Sequence, residues 1–181
     1  LFLGGDHWDA PPDIIAMSKG FGGGYMPLGA MIADERIVEA VLDNGGFIHG
    51  HTYAGNPLAC AAGLAVVKEI ETQNMAENSA KMGALLKTRL EGLMDRYPFI
   101  GDVRGLGLLL AFELVTDRQS MKPLPRDLNA HARLVDIAYE KGLIIYSRRS
   151  RGGYDGDHFL VCPPMIVTEE QIEEIMRDLT A

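Results

Sequence analysis

The chain has 181 residues, of which 47% are hydrophobic and 23% charged, the proportions of a globular protein and not of a disordered or fibrous one. Its formal net charge of −8 argues against nonspecific nucleic-acid or anionic-membrane partners, because both need a positive excess. No apolar run approaches the ~20 residues of a bilayer span and no charged-then-apolar leader is visible, so the cytoplasm is the expected compartment.

The chain opens on "LFLGGDHW" and not on methionine, so a fragment of a longer protein is expected. "DIIAMSK" (residues 13–19) follows a Pro-Pro pair and ends at glycines, as a short buried strand with a functional loop at its carboxyl end would. "LGAMIAD" (residues 28–34) reads as a second strand, and Asp34 as the cap of a short helix with Ile37, Val38, Val41 and Leu42 on one face. After "HGHTYAGNP", Asn56 and Pro57 begin a long helical region carried towards Pro98, with a bend near residues 74–78.

"GDVRGLGLLLAFELV" reads as an apolar strand, followed by a polar loop and a helix from Asp127 to Lys141 that Gly142 closes. "GLIIYS" and "HFLVCPP" are further strands, and Thr168 with Gln171 forms a capping box for a last helix whose Ile172, Ile175, Met176 and Leu179 face a core. The division expected is residues 1–70 as part of a larger α/β sheet domain, 71–100 as a connecting helix, and 101–181 as a small α+β domain. Cys60 and Cys162 lack metal-ligand spacing and sit in apolar stretches, which reads as reduced, buried thiols; no metal is expected.

The chemistry concentrates at "AMSKGFGGGYMPLGAMIAD", where Lys19 precedes four glycines within five residues. A P-loop places its lysine after the glycines, and both dinucleotide frames fail, ending on Tyr25 or Pro27. A Schiff-base lysine, by contrast, must lose its proton in a confined or electropositive site, and glycines beside it let a flat cofactor approach the backbone.

"PDIIAMSKGFGGGYMPLGAMIADERI" resembles the cofactor-lysine segment of the class III aminotransferases, pyridoxal-phosphate enzymes of fold type I. "HGHTYAGNPLACAAGLAVVKEIE", "DVRGLGLLLAFEL" and "FLVCPPMIVTEEQIEEI" are similar to later blocks of that family, in family order and across essentially the whole chain. The resemblance implies the C-terminal part of a fold type I transferase: the end of the large, mainly parallel sheet domain plus the small α+β domain. It implies pyridoxal 5'-phosphate as cofactor, Lys19 as Schiff-base residue and proton carrier, Ser18 beside the cofactor, and Thr52 on its phosphate from the neighbouring subunit of a homodimer.

The reaction so implied moves an amino group from a small-molecule donor to a keto acid. "GGYMPLGA" with "GHTYAGNP" looks more like the ω-amino acid and amine:pyruvate branch than the ornithine branch, with Tyr25 on the substrate side. A substrate carboxylate would meet an arginine of "SRRSR": Arg148 is the first candidate, as it directly follows the strand, with Arg149 and Arg151 as rivals. Arg104 reads as structural. The family's aspartate under the pyridinium nitrogen, its phosphate-binding Gly-Ser turn and its ring-stacking aromatic would all lie before Leu1, so these residues alone are expected to bind cofactor poorly or not at all. An aminomutase, a decarboxylase, or a non-catalytic remnant acting as a dimerisation module are the alternatives.

Overall fold

A computed structural model describes residues 4–150 and 155–181. The chain divides into two compact units, Leu1–Ala76 and Glu77–Ala181.

In the first unit, β1 (Ile14–Met17) pairs antiparallel with β2 (Ala30–Ala33), Ile14 opposite Ala33 and Met17 opposite Ala30. The expected buried strand is therefore corrected: β1 alternates exposed and half-buried residues, and Ile14, Met31 and Ile32 are exposed. Two four-residue strands form a ribbon that pairing with each other alone cannot cover. Asp34 caps α1 (Glu35–Asp43) by accepting from the Arg36 amide at 3.0 Å. Asn56 caps α2 (Pro57–Thr72) by accepting from the Ala59 amide at 3.0 Å, with Pro57 in the first turn where its missing N–H costs nothing.

α2 ends before Asn74, whose φ of 51° is left-handed, and α3 (Met75–Arg96) begins after it, so the helical region is interrupted where the bend was anticipated, near residues 74–78. Asparagine tolerates that conformation better than other non-glycine residues.

The second unit holds the core. Its sheet runs β3 (Ile100–Leu106), β4 (Leu109–Asp117), β7 (Asp155–Val161), β6 (Tyr146–Arg149), all antiparallel, with the two-residue β5 (Lys122–Pro123) also on β4. The stretch read as one strand is a hairpin: Gly107 takes φ 56° at its tip, and Gly105, at φ 128°, lies so close to the Leu109 carbonyl that a Cβ would collide with it. α4 (Ala130–Glu140) begins three residues later than expected because residues 126–128 form a single 3-10 turn and Asn129 follows at φ 51°. α5 (Glu169–Thr180) carries the anticipated capping box: Thr168 Oγ1 accepts from the Gln171 amide and the Gln171 side chain accepts from the Thr168 amide.

One face of this sheet is dry. Leu110, Phe112 and Leu114 of β4, with Phe159 and Val161 of β7, pack against Met82, Leu86 and Leu90 of α3, Ala138 of α4, and Ile172 and Met176 of α5. Phe112 and Phe159, directly opposite each other, stack with ring centroids 5.0 Å apart. Ile175 and Leu179 are half-buried against that core, which completes the predicted face of α5. The opposite face carries the alternate residues, among them Asp102, Arg104, Glu113, His158 and Arg148.

Candidate functional site

Lys19 sits two residues beyond the end of β1, where Ser18 leads into a 3-10 turn over Lys19–Gly22. Its φ is 55°, a conformation that a lysine adopts at a cost of about 1–3 kcal/mol and that tends to mark functional segments. The side chain is exposed, as are those of Ser18 and Tyr25, so the confinement expected around the amine is not supplied by the residues of this unit.

The loop after Lys19 is bare on one side and packed on the other. A Cβ on Gly20 or Gly24 would meet nothing within 4 Å, whereas one on Gly23 would press 2.8 Å from Val66 of α2. Gly63, also on α2, receives the side chain of Leu28 in contact that a Cβ would block. Hence α2 is the platform of the lysine loop, and its small residues are what allow the loop to sit down. Thr52 belongs to the turn that leads into the same helix, braced by Ala54 N–H to His51 carbonyl at 2.9 Å and Asn56 N–H to Tyr53 carbonyl at 3.1 Å. One helix thus positions the amine loop at its flank and the hydroxyl turn at its start.

In the second unit, Arg148 lies within β6 and not after the strand, because "GLII" runs as a connection and pairing starts only at Tyr146. Its guanidinium is exposed and stacks 4.7 Å over the Tyr146 ring. Arg149 is engaged: its Nε donates to Asp157 Oδ1 at 2.8 Å, and its terminal nitrogen donates to the Arg126 carbonyl at 3.0 Å. Arg151 lies outside the described residues. Arg104 is held by Asp102 at 2.7 Å and Glu113 at 2.8 Å; burial works against its charge, but the hydrogen bonds to Asp102 and Glu113 outweigh that and raise its pKa, in keeping with a structural role.

Both cysteines are free and exposed, which corrects the expectation of buried thiols. Burial of part of the Cys162 side chain still pushes its thiol up. The apolar neighbours in sequence misled because Cys162 stands on the alternate face to Val161, beyond the end of β7. Asp157, almost fully buried, was not singled out from sequence; its signal was an acidic residue set in a strand opposite a run of arginines.

Lys19 thus presents an exposed primary amine just past a strand end, beside a glycine-rich loop on an α/β scaffold. The family "Aminotransferase class-III" matches residues 2–181. The chain is 35% identical over 178 residues to an uncharacterized aminotransferase, YodT, of Bacillus subtilis, covering 96% of this chain and 40% of that protein. It is 36% identical over 172 residues to a mitochondrial alanine–glyoxylate aminotransferase 2 homologue of Arabidopsis thaliana, covering 95% and 34%. A solved amine transaminase from an uncultivated Pseudomonas species, in its PLP-bound internal aldimine form, superposes with a TM-score of 0.88 at 36% identity, over 99% of this chain and 40% of that one.

The chain therefore belongs to the class III aminotransferases, enzymes that use pyridoxal phosphate. It spans about two fifths or less of the length of these relatives. The residues present fit that cofactor: Lys19 offers a primary amine, and the open side of Gly20 and Gly24 leaves room for a flat ring. No helix among the described residues is long and apolar enough to cross a membrane.

Proposed function

We propose that the full-length protein containing this chain transfers an amino group from an amine or an ω- or β-amino acid to a keto acid such as pyruvate, with Lys19 as the reacting amine. The observation that carries this is the placement of Lys19 at the end of β1, left-handed and exposed, against glycines that leave one side of the loop open. Bound pyridoxal phosphate supplies an aldehyde and an electron sink for the carbanion left when the substrate carbon loses its proton.

The chain's own groups would do the rest. Lys19 would hold the cofactor between turnovers and, once the donor amine has displaced it, would take the proton from the substrate carbon on Nζ and pass it to the cofactor side. Thr52 would hold the cofactor phosphate through its hydroxyl, and Ser18 lies next to the lysine. Arg148 receives the keto-acid carboxylate through its fork of N–H donors, and Tyr25 borders the donor. The amine:pyruvate branch is favoured by the "GGYMPLGA" spacing and by the amine transaminase among the solved relatives. The name of the alanine–glyoxylate relative is compatible with a 2-keto acid acceptor.

A homodimer is part of the proposal, with Thr52 serving the neighbouring site. Ile48 and Tyr53, on either side of Thr52, are 91% and 82% exposed, a solvent exposure that a subunit interface would remove. Borohydride reduction of the cofactor-loaded full-length enzyme should fix the cofactor mass onto the peptide holding Lys19. Absence of that adduct, with transamination intact, would refute the assignment. Spectral half-reactions with candidate amines and keto acids then rank donors and acceptors, and carbon dioxide release or amino-group retention would point to a decarboxylase or an aminomutase.

A further inference from the structure

We propose that Asp157 is a positioning residue that captures Arg149 on the packed face of the sheet and thereby holds Arg148 on the open face as the carboxylate receptor. The proposal rests on the reading of Arg148 given above.

β6 is a short edge strand: it is four residues long and, among the described residues, pairs with β7 alone. In its register Arg149 stands opposite Asp157, Arg148 opposite His158, and Ser147 opposite Phe159. Neighbouring residues of a strand face opposite sides, so a slip of one position would exchange the two arginines. The next bridge pairs Ser150 with Asp155, so Gly156, at φ 82°, is an extra residue on β7 and a place where pairing is already irregular.

Two contacts oppose a slip. Ser147, small and half-buried, fits opposite Phe159, where a slipped strand would have to place Tyr146. Arg149 is tied down at several points around the start of α4: to Asp157 at 2.8 Å, to the Arg126 carbonyl at 3.0 Å, and to Asn129 Oδ1 at 3.5 Å. The Asp157 carboxylate is 3% exposed, and its Oδ1 also lies 3.4 Å from His131 Nδ1 of α4. A buried carboxylate needs a charged partner in this place, and Arg149 has the length and fork to reach both it and the helix start. Arg149 is thus withdrawn from substrate, and Arg148, with its ring contact to Tyr146, is the arginine that β6 presents.

The test uses the cofactor-loaded full-length enzyme and Asp157→Asn, with Arg149→Lys as a second variant that keeps the charge if the first does not fold. Backbone hydrogen exchange should accelerate in residues 146–149 and not in β3 or β4. The KM for the keto acid should rise about tenfold, while the half-reaction rate with an amine that has no carboxylate stays at the wild-type value. If Arg148→Ala raises the keto-acid KM but Asp157→Asn leaves both that KM and β6 exchange unchanged, the positioning role is overturned and the reading of Arg148 stands. If Arg148→Ala leaves the KM unchanged, the carboxylate reading fails and the positioning role falls with it. Equal loss of the carboxylate-free half-reaction would mark Asp157 as merely structural and also overturn the proposal.

Discussion

Lys19 and the two neighbouring arginines show how differently residues of one type behave once placed. Replacing Lys19 by alanine in the full-length enzyme should lower kcat by about 10³-fold or more in a transamination assay, since no other amine in the segment follows the strand end. Arg148 is exposed, so Arg148→Ala should leave the thermal midpoint nearly unchanged, a stability effect within about 0.5 kcal/mol. Arg149→Ala strands the buried Asp157 carboxylate and should cost about 3–5 kcal/mol, read as a lower midpoint in denaturant. Sequence could order the candidates by adjacency to a strand, but only pairing with β7 shows which arginine is occupied. Lys19 stands out in the sequence because it precedes its glycines, which excludes the nucleotide motifs.

At the scale of elements, ends and close approaches dominate. Gly83 of α3 lies against Gly107 of the β3–β4 hairpin, so a Cβ there would collide with backbone; Gly83→Ala should destabilise by about 3 kcal/mol in chemical denaturation. Arg118 closes the other end of α3, donating to the carbonyls of Met94, of Tyr97 at 2.7 Å and of Ile100 at 2.7 Å. Arg118→Ala removes these bonds, leaving the Tyr97 carbonyl its bond from the Ile100 amide, and should cost about 2 kcal/mol. The Glu170 carboxyl is held below its ordinary value of 4.5, first by its own backbone N–H and then by the Thr168 hydroxyl. Its contribution is present above pH 4.5 and is lost as pH falls through the lower folded value, so Thr168→Ala should flatten the acid side of the stability profile. The caps were readable because each is a local rule of residue type and spacing. The β3–β4 hairpin was not, since a largely apolar run conceals a two-residue turn at Gly107 and Leu108, with Gly107 left-handed.

For the whole molecule, the two units differ in how they are held. Nearly all fully buried hydrophobic residues belong to the second unit; among the described residues of the first, Ala59 is the hydrophobic side chain that reaches that level. The first unit instead exposes Trp8, Phe47, Ile48, Tyr53, Leu58 and Leu64. Residues 1–181 expressed alone should therefore bind a hydrophobic dye and lose amide protection first in residues 4–76, whereas the full-length protein should do neither. In the purified heterodimer of Lys19→Ala and Thr52→Ala chains, about half of the native activity should return if Thr52 serves the neighbouring subunit, and none if it serves its own. The glycine loop that follows Lys19 and the helix caps were set locally, because a strand end, an N-cap or a glycine loop needs only its near neighbours in sequence. Strand pairing, exposure of β1, engagement of Arg149 and burial of Asp157 were decided by tertiary structure, because each depends on which distant segment comes to lie alongside.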